Sequence, residues 1–338
     1  MQNVAIVDLV MLSLAQNAVP KGAGKGIFPR LPRPVGTLSD WGNRVMLRFG
    51  AYRKLFNRSK NFVACVAGSG PDVAAADDAA SSPIKDLKWR PAPLINWTER
   101  FGVLWSGKVG SMAVTYWFLA RLGLLDAARQ YGRNPHNYRI DVLLKDPTYQ
   151  ADVVSCDPAA LRWLRIIRSP YKRAVSSYHH VVRHRFDDAE IEKHLGISIP
   201  ESGLSFQEFL DYLLAIDVVT CNVHYRQQWH PLEARVVPRR DVNIDEQNLL
   251  AALDAFESDL GLPPLAPATR ATLLAELKRE STRHHKPLDM NDSVAEMRFR
   301  RSDSKGNWPG YEMFLTETAR DKIDRIYAKD FAAYGDFL

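Results

Sequence analysis

Lys108 stands in a short stretch, Gly107-Lys108-Val109-Gly110-Ser111, directly after the apolar run Phe101-Gly102-Val103-Leu104-Trp105. Glycines at such a turn let backbone N–H groups approach an anion. A lysine adds a mobile charge, and a serine at the following helix start adds a hydroxyl. The run from Gly102 to Val109 nearly completes the GxxxxGK[ST] phosphate loop. Val109, however, replaces the hydroxyl that would hold Mg²⁺, and Gly102 falls inside the apolar run rather than in the loop. A second candidate follows downstream, from Arg168 to Tyr178. Projected at ~100° per residue, Tyr171, Ala174, Val175, Tyr178, Val181 and Val182 form one apolar stripe, with Ser169, Arg173, Ser176 and His180 opposite. Arg168 at a strand end and Ser176 on that polar face form a guanidinium–hydroxyl pair suited to a phosphate dianion. A surface helix with a solvated basic face has the same composition. Two anion-binding devices, each at a strand-to-helix turn, point beyond it.

The elements that must carry these residues are a strand, a glycine-containing loop and a helix predicted from Met112 to about Gln130. A second strand is predicted over Leu161–Arg168, and Ser169-Pro170 supplies an N-cap and a first-turn proline. The expected fold class is α/β, with three layers, P-loop-like, its central parallel sheet flanked by helices. The structured domain is expected over 95–338. Residues 1–94 read as a variable extension with a flexible linker of small and acidic residues around 67–83. Met1–Ala18 is apolar, but Asp8 interrupts it and no basic segment precedes it, so it reads as a surface helix rather than a signal or a membrane span.

The Lys-x-Gly-Ser loop and the Arg168-x-Pro-x-x-Arg-x-x-Ser-x-Tyr178 segment together resemble the sulfotransferase family that uses 3'-phosphoadenosine-5'-phosphosulfate (PAPS). Arg301-Ser-Asp-Ser-Lys-Gly306-Asn-Trp308 keeps the spacing of a third family segment, without its usual Lys-Gly after the arginine. His224-Tyr-Arg-Gln-Gln-Trp-His and Phe206-Gln-Glu-Phe209-Leu are similar to the carbohydrate (Golgi-type) branch, and the alanine-rich, linker-bearing chain points to a bacterial member. The resemblance covers roughly Trp97 onward. It implies transfer of a sulfuryl group from PAPS to an acceptor hydroxyl, without a metal, leaving adenosine 3',5'-bisphosphate. Gly107, Lys108, Val109, Gly110, Ser111 and Met112 would hold the 5'-phosphosulfate, and Lys108 would stabilise the departing 5'-phosphate. Arg168 and Ser176 would hold the 3'-phosphate, and the loop carrying Arg301, Gly306 and Trp308 would close over the 3'-phosphate and adenine. The acceptor base is expected at His224 or, second, His136; Asp141 and Glu208 remain open.

The chain has 338 residues, 46% hydrophobic and 25% charged, with a net charge of +6, which suits an anionic ligand. No dense basic run marks a nucleic-acid arm. The three cysteines, far apart and lacking CxxC or Cys/His spacing, favour neither disulfides nor a metal centre. The expected partner is a glycan or glycolipid acceptor, and the expected compartment the cytoplasm. The competing class is a P-loop kinase or NTPase acting on a small metabolite. It requires Mg²⁺ and an acidic residue at a strand end.

Overall fold

The computed structural model describes residues 91–281, 292–305 and 308–335, all within one compact unit, Asp78–Leu338. The expected extension, apart from 91–94, and its linker lie outside the described residues, as does Gly306. Four strands form one sheet in the order β1 (Leu94–Asn96), β2 (Phe101–Leu104), β3 (Arg162–Ile167) and β4 (Arg239–Asn243). β2, β3 and β4 are parallel, with Val103 opposite Leu164 and Leu164 opposite Arg240. β1 runs antiparallel to β2, so the sheet is mixed rather than parallel throughout. The reason is the short turn at 97–100: a parallel neighbour needs a crossover of a dozen or more residues.

The helices, in chain order, are α1 (Ser111–Arg121), α2 (Leu125–Tyr131), α3 (Pro135–Asp141), α4 (Pro147–Ser155) and α5 (Pro170–His184). After them come α6 (Asp188–Leu195), α7 (Ile199–Ser202), α8 (Phe206–Ala215), α9 (Leu249–Asp259), α10 (Pro267–Ser281), α11 (Glu317–Ile326) and α12 (Ala328–Tyr334). The predicted helix from Met112 to about Gln130 is two helices. Gly123, at φ 69°, ends the first, with Leu124 N–H bonded back to the Leu119 carbonyl at 2.7 Å. None of the helices among the described residues is long and apolar enough to cross a membrane.

Strand alternation divides the core between the two faces of the sheet. Phe101, Val103, Leu164, Ile166 and Val242 pack with Val114, Trp117 and Phe118 of α1 and Leu253 and Phe256 of α9. On the other face, Ile95, Leu104 and Trp163 join Val153, Leu232 and Val236. Gly102 is a packing glycine: a Cβ there would lie 2.4 Å from the Trp163 ring. A third cluster builds around α5. Ala174, Val175, Tyr178, Val181 and Val182 are buried against α8 and α11, the stripe expected from the sequence.

The face carrying Trp163 also carries charge. Arg165 of β3 is wholly buried, paired with Glu233 at 3.0 Å and bonded to the Tyr334 hydroxyl at 3.1 Å. Asp330 of α12, also buried, accepts the N–H groups of Gln228 and Trp229, each at 2.8 Å. These bonds tie the segment 226–230 to the C-terminal helix. Because β2, β3 and β4 are parallel, the turns that follow them emerge at one edge of the sheet. There, Ser106–Gly110, Arg168–Ser169 and Ile244–Gln247 meet.

Candidate functional site

The turn after β2 is built to present backbone donors. Val109 is buried in the core and anchors it, while Lys108 (φ 69°) and Gly110 (φ 74°) both adopt left-handed backbone. For a lysine that conformation is uncommon and costs of order 1 kcal/mol. Gly110 caps α1 without any side-chain hydrogen bond, and no acidic residue lies in the first turn. The N–H groups of Ser111 and Met112 therefore have no capping side chain, the arrangement in which a helix start can accept an anion. Gly107 is demanded by packing. A Cβ on it would sit 2.4 Å from the Val223 carbonyl oxygen and 2.9 Å from His224 Cα, so the His224 segment lies directly on the loop.

Arg168 leaves the end of β3 and joins this turn. Its Nη1 donates to the Lys108 carbonyl at 3.2 Å, and its Nε faces Asp245 Oδ1 at 3.3 Å. Gln228 brackets its backbone, accepting from Arg168 N at 3.0 Å and donating to Arg168 O at 2.8 Å. Asp245, just beyond β4, also accepts from Ser169 N at 2.9 Å and lies 3.5 Å from Lys172 Nζ. Ser176 is half-buried on α5.

Arg173 corrects the helical projection. Rather than lining a solvated face, it is wholly buried. Its Nε donates to the Gly107 carbonyl at 3.1 Å, its Nη2 donates to the Arg226 carbonyl, and its Nη1 is buried without a hydrogen-bond partner. The acceptors come from distant parts of the chain, which no local periodicity reveals. Ser177 behaves likewise, donating to the His224 carbonyl at 2.7 Å.

Two histidines border the loop. His136 stacks under Trp105, ring centroids 5.2 Å apart, and both its nitrogens meet hydroxyls: Thr115 Oγ1 at 3.3 Å and Ser111 Oγ at 3.2 Å. Burial, with Arg139 next, pushes its pKa down to about 3. His224 packs against His180 (4.0 Å) and Phe186 (5.0 Å), and its Nδ1 lies 2.8 Å from Asn222 Oδ1. Burial first, then Lys108, His184 and Arg173, lowers its pKa to about 4. Lys108 itself falls to about 8, through burial and then Arg168, Arg183 and Arg173. Three arginines close enough to depress the Lys108 pKa make an environment suited to a multiply charged anion.

No family model, curated protein or solved structure matches the chain.

The remaining expected residues are dispersed. Arg301 is exposed and near enough to help lower the His184 pKa, after burial, Arg183 and Lys108. It edges a cleft of about 220 Å³ with Val182, Arg185, Ile199 and Phe299. Trp308 is packed among Tyr178, Phe299 and Phe314 and stacks on His179 at 4.3 Å. Asp141 pairs with Lys145 at 3.4 Å, and Glu208 caps α8 and binds Arg298 at 3.1 Å. Among the described residues, no group of three or more His, Cys, Asp or Glu is placed to hold a metal ion. Gln228, Asp245 and Asn222 are site residues that motif reading missed. Asn222 stands two positions before His224 and Gln228 lies inside the His224–His230 segment, whereas Asp245 carried no local signal.

Proposed function

We propose that the protein is a PAPS-dependent sulfotransferase of P-loop-like architecture, acting on a saccharide hydroxyl. The observation that carries this reading is the bond from the Arg168 guanidinium to the Lys108 carbonyl, which joins the two sequence segments at one sheet edge. The fit to a doubly phosphorylated adenosine rests on three features: the uncapped start of α1, the clustered cations, and the orphaned Nη1 of Arg173. PAPS, when bound, would supply the sulfuryl group, the sulfur–oxygen bond to its 5'-phosphate breaking as sulfur bonds to the acceptor oxygen.

Lys108 and the N–H groups at Ser111 and Met112 stabilise charge growing on the leaving phosphate, in the manner of phosphoryl transfer. Arg168 and Ser176 hold the 3'-phosphate and so discriminate against ATP. His224 accepts the acceptor proton; His136, with both nitrogens engaged, instead orients Ser111 and Thr115. Phe186, 40% exposed beside the His224 ring, offers an apolar platform to the C–H face of a sugar. Trp229 is less suited, since Lys329 Nζ lies over its ring at 4.4 Å.

The kinase reading gains one observation: Asp245 is an acidic residue just past a strand end beside the loop. It is held by Arg168 and Lys172, however, and Val109 in place of a Mg²⁺-binding hydroxyl is buried in the core. Calorimetry with adenosine 3',5'-bisphosphate and with Mg²⁺–ATP separates the two. Tighter binding of the bisphosphate, together with transfer of label from PAPS to glycans, supports the sulfotransferase. Preference for Mg²⁺–ATP overturns it.

A further inference from the structure

We infer that Asn222 is the positioning residue that makes His224 a base at one atom, Nε2. This inference rests on the proposed role of His224 and goes beyond it by naming what prepares the ring. The Asn222 side-chain atom 3.0 Å from the His224 backbone N–H must be an acceptor, because a backbone N–H only donates. That atom is therefore the amide oxygen. The same oxygen lies 2.8 Å from His224 Nδ1, and an amide oxygen cannot donate, so Nδ1 carries the proton. A neutral imidazole has one N–H, and the lone pair is left on Nε2.

The surroundings keep the ring neutral. Burial does most of this, and Lys108 from the loop and Arg173, His180 and His184 from α5, with His136 beyond, add to it. The ring is also fixed in place. His180 packs on it, Ser177 holds the His224 carbonyl at 2.7 Å, and the Asn222 carbonyl accepts from Arg226 N at 3.0 Å to close the turn. When the acceptor oxygen bonds to sulfur, its proton passes to Nε2. The imidazolium that forms is stabilised by Nδ1–H donating to Asn222, as a partner on the far nitrogen stabilises other catalytic histidines.

Two substitutions in the full chain test this. Asn222→Ser keeps a side-chain oxygen for the turn but cannot reach Nδ1. Its turnover should fall about 10- to 100-fold, with the affinity for adenosine 3',5'-bisphosphate unchanged. Asn222→Asp keeps both contacts and adds a negative charge. It should retain turnover and move the acid limb of the pH–rate profile upward by about one unit or more. A residue that only shaped the turn would leave that limb in place. Nitrogen-15 NMR of labelled histidine reads the tautomer without turnover: Nδ1–H in the wild type, a mixture in Asn222→Ser. Wild-type rates and pH profiles in both variants, or a His224 proton on Nε2, overturn the inference. Failure of the wild type to transfer from PAPS instead removes the functional reading, while the NMR result still decides the role of Asn222.

Discussion

Gly107 offers a graded test of how closely the loop and the His224 segment must approach. In Gly107→Ala the new methyl would stand 2.4 Å from the Val223 carbonyl oxygen and 2.9 Å from His224 Cα, both backbone atoms that cannot rotate away. Ordinary contact begins near 3.4 Å, so the two segments must separate by about 1 Å. Arg173, which holds Gly107 and Arg226 by their carbonyls, resists that separation. The strain should cost about 1–3 kcal/mol of stability. A 1 Å shift between the loop lysine and the base should lower turnover about 100-fold. Release of labelled sulfate from PAPS onto acceptor measures turnover, and urea unfolding measures stability. Gly132→Ala is the control, since a Cβ there meets nothing within 4 Å and its backbone is extended. Gly107→Ala with wild-type turnover would show that the apposition of these segments is irrelevant to the chemistry.

Other outcomes follow from charge. Lys108→Met should abolish transfer yet raise the melting temperature at pH 7, because it removes a half-buried, partly desolvated cation from beside three arginines. A lowered lysine pKa penalises the folded state below about pH 8, and that penalty fades as pH rises toward 10.5, so the gain in melting temperature should shrink at pH 10. Binding of adenosine 3',5'-bisphosphate, followed by calorimetry, should weaken as pH rises through about 8, where Lys108 loses its charge, and Lys108→Met should flatten that dependence. Asp330→Ala should destabilise by about 3–5 kcal/mol in urea titrations, because Arg165 and Arg173 would lose a buried counter-charge.

The glycine loop, the start of α1 and the apolar stripe of α5 could be read from local pattern, because each is written within one or two turns of chain. The antiparallel β1 could be inferred only from the length of the turn after it. β4 escaped because Arg239-Arg240-Asp241 looks like a loop. In the fold Arg239 satisfies Asp241 at 2.7 Å and Glu233 at 3.4 Å, so its charges stay in the strand. Arg173 defeated the helical projection, and Ser177 stayed outside it, for a related reason. Their acceptors are carbonyls of Gly107, Arg226 and His224, and burial of a charged group is decided by partners far away in sequence. Gln228 and Asp245 likewise acquire meaning only once three turns converge.

The hold of α12 on Gln228 and Trp229 has a consequence for how the site comes into being during synthesis. A chain still on the ribosome can pair β2 with β3 and close the loop around Lys108 long before Asp330 emerges. The strap bearing His224 and Gln228 lacks its tether until then, so the clamp on Arg168 and the placing of His224 should be completed together, late in the order of assembly.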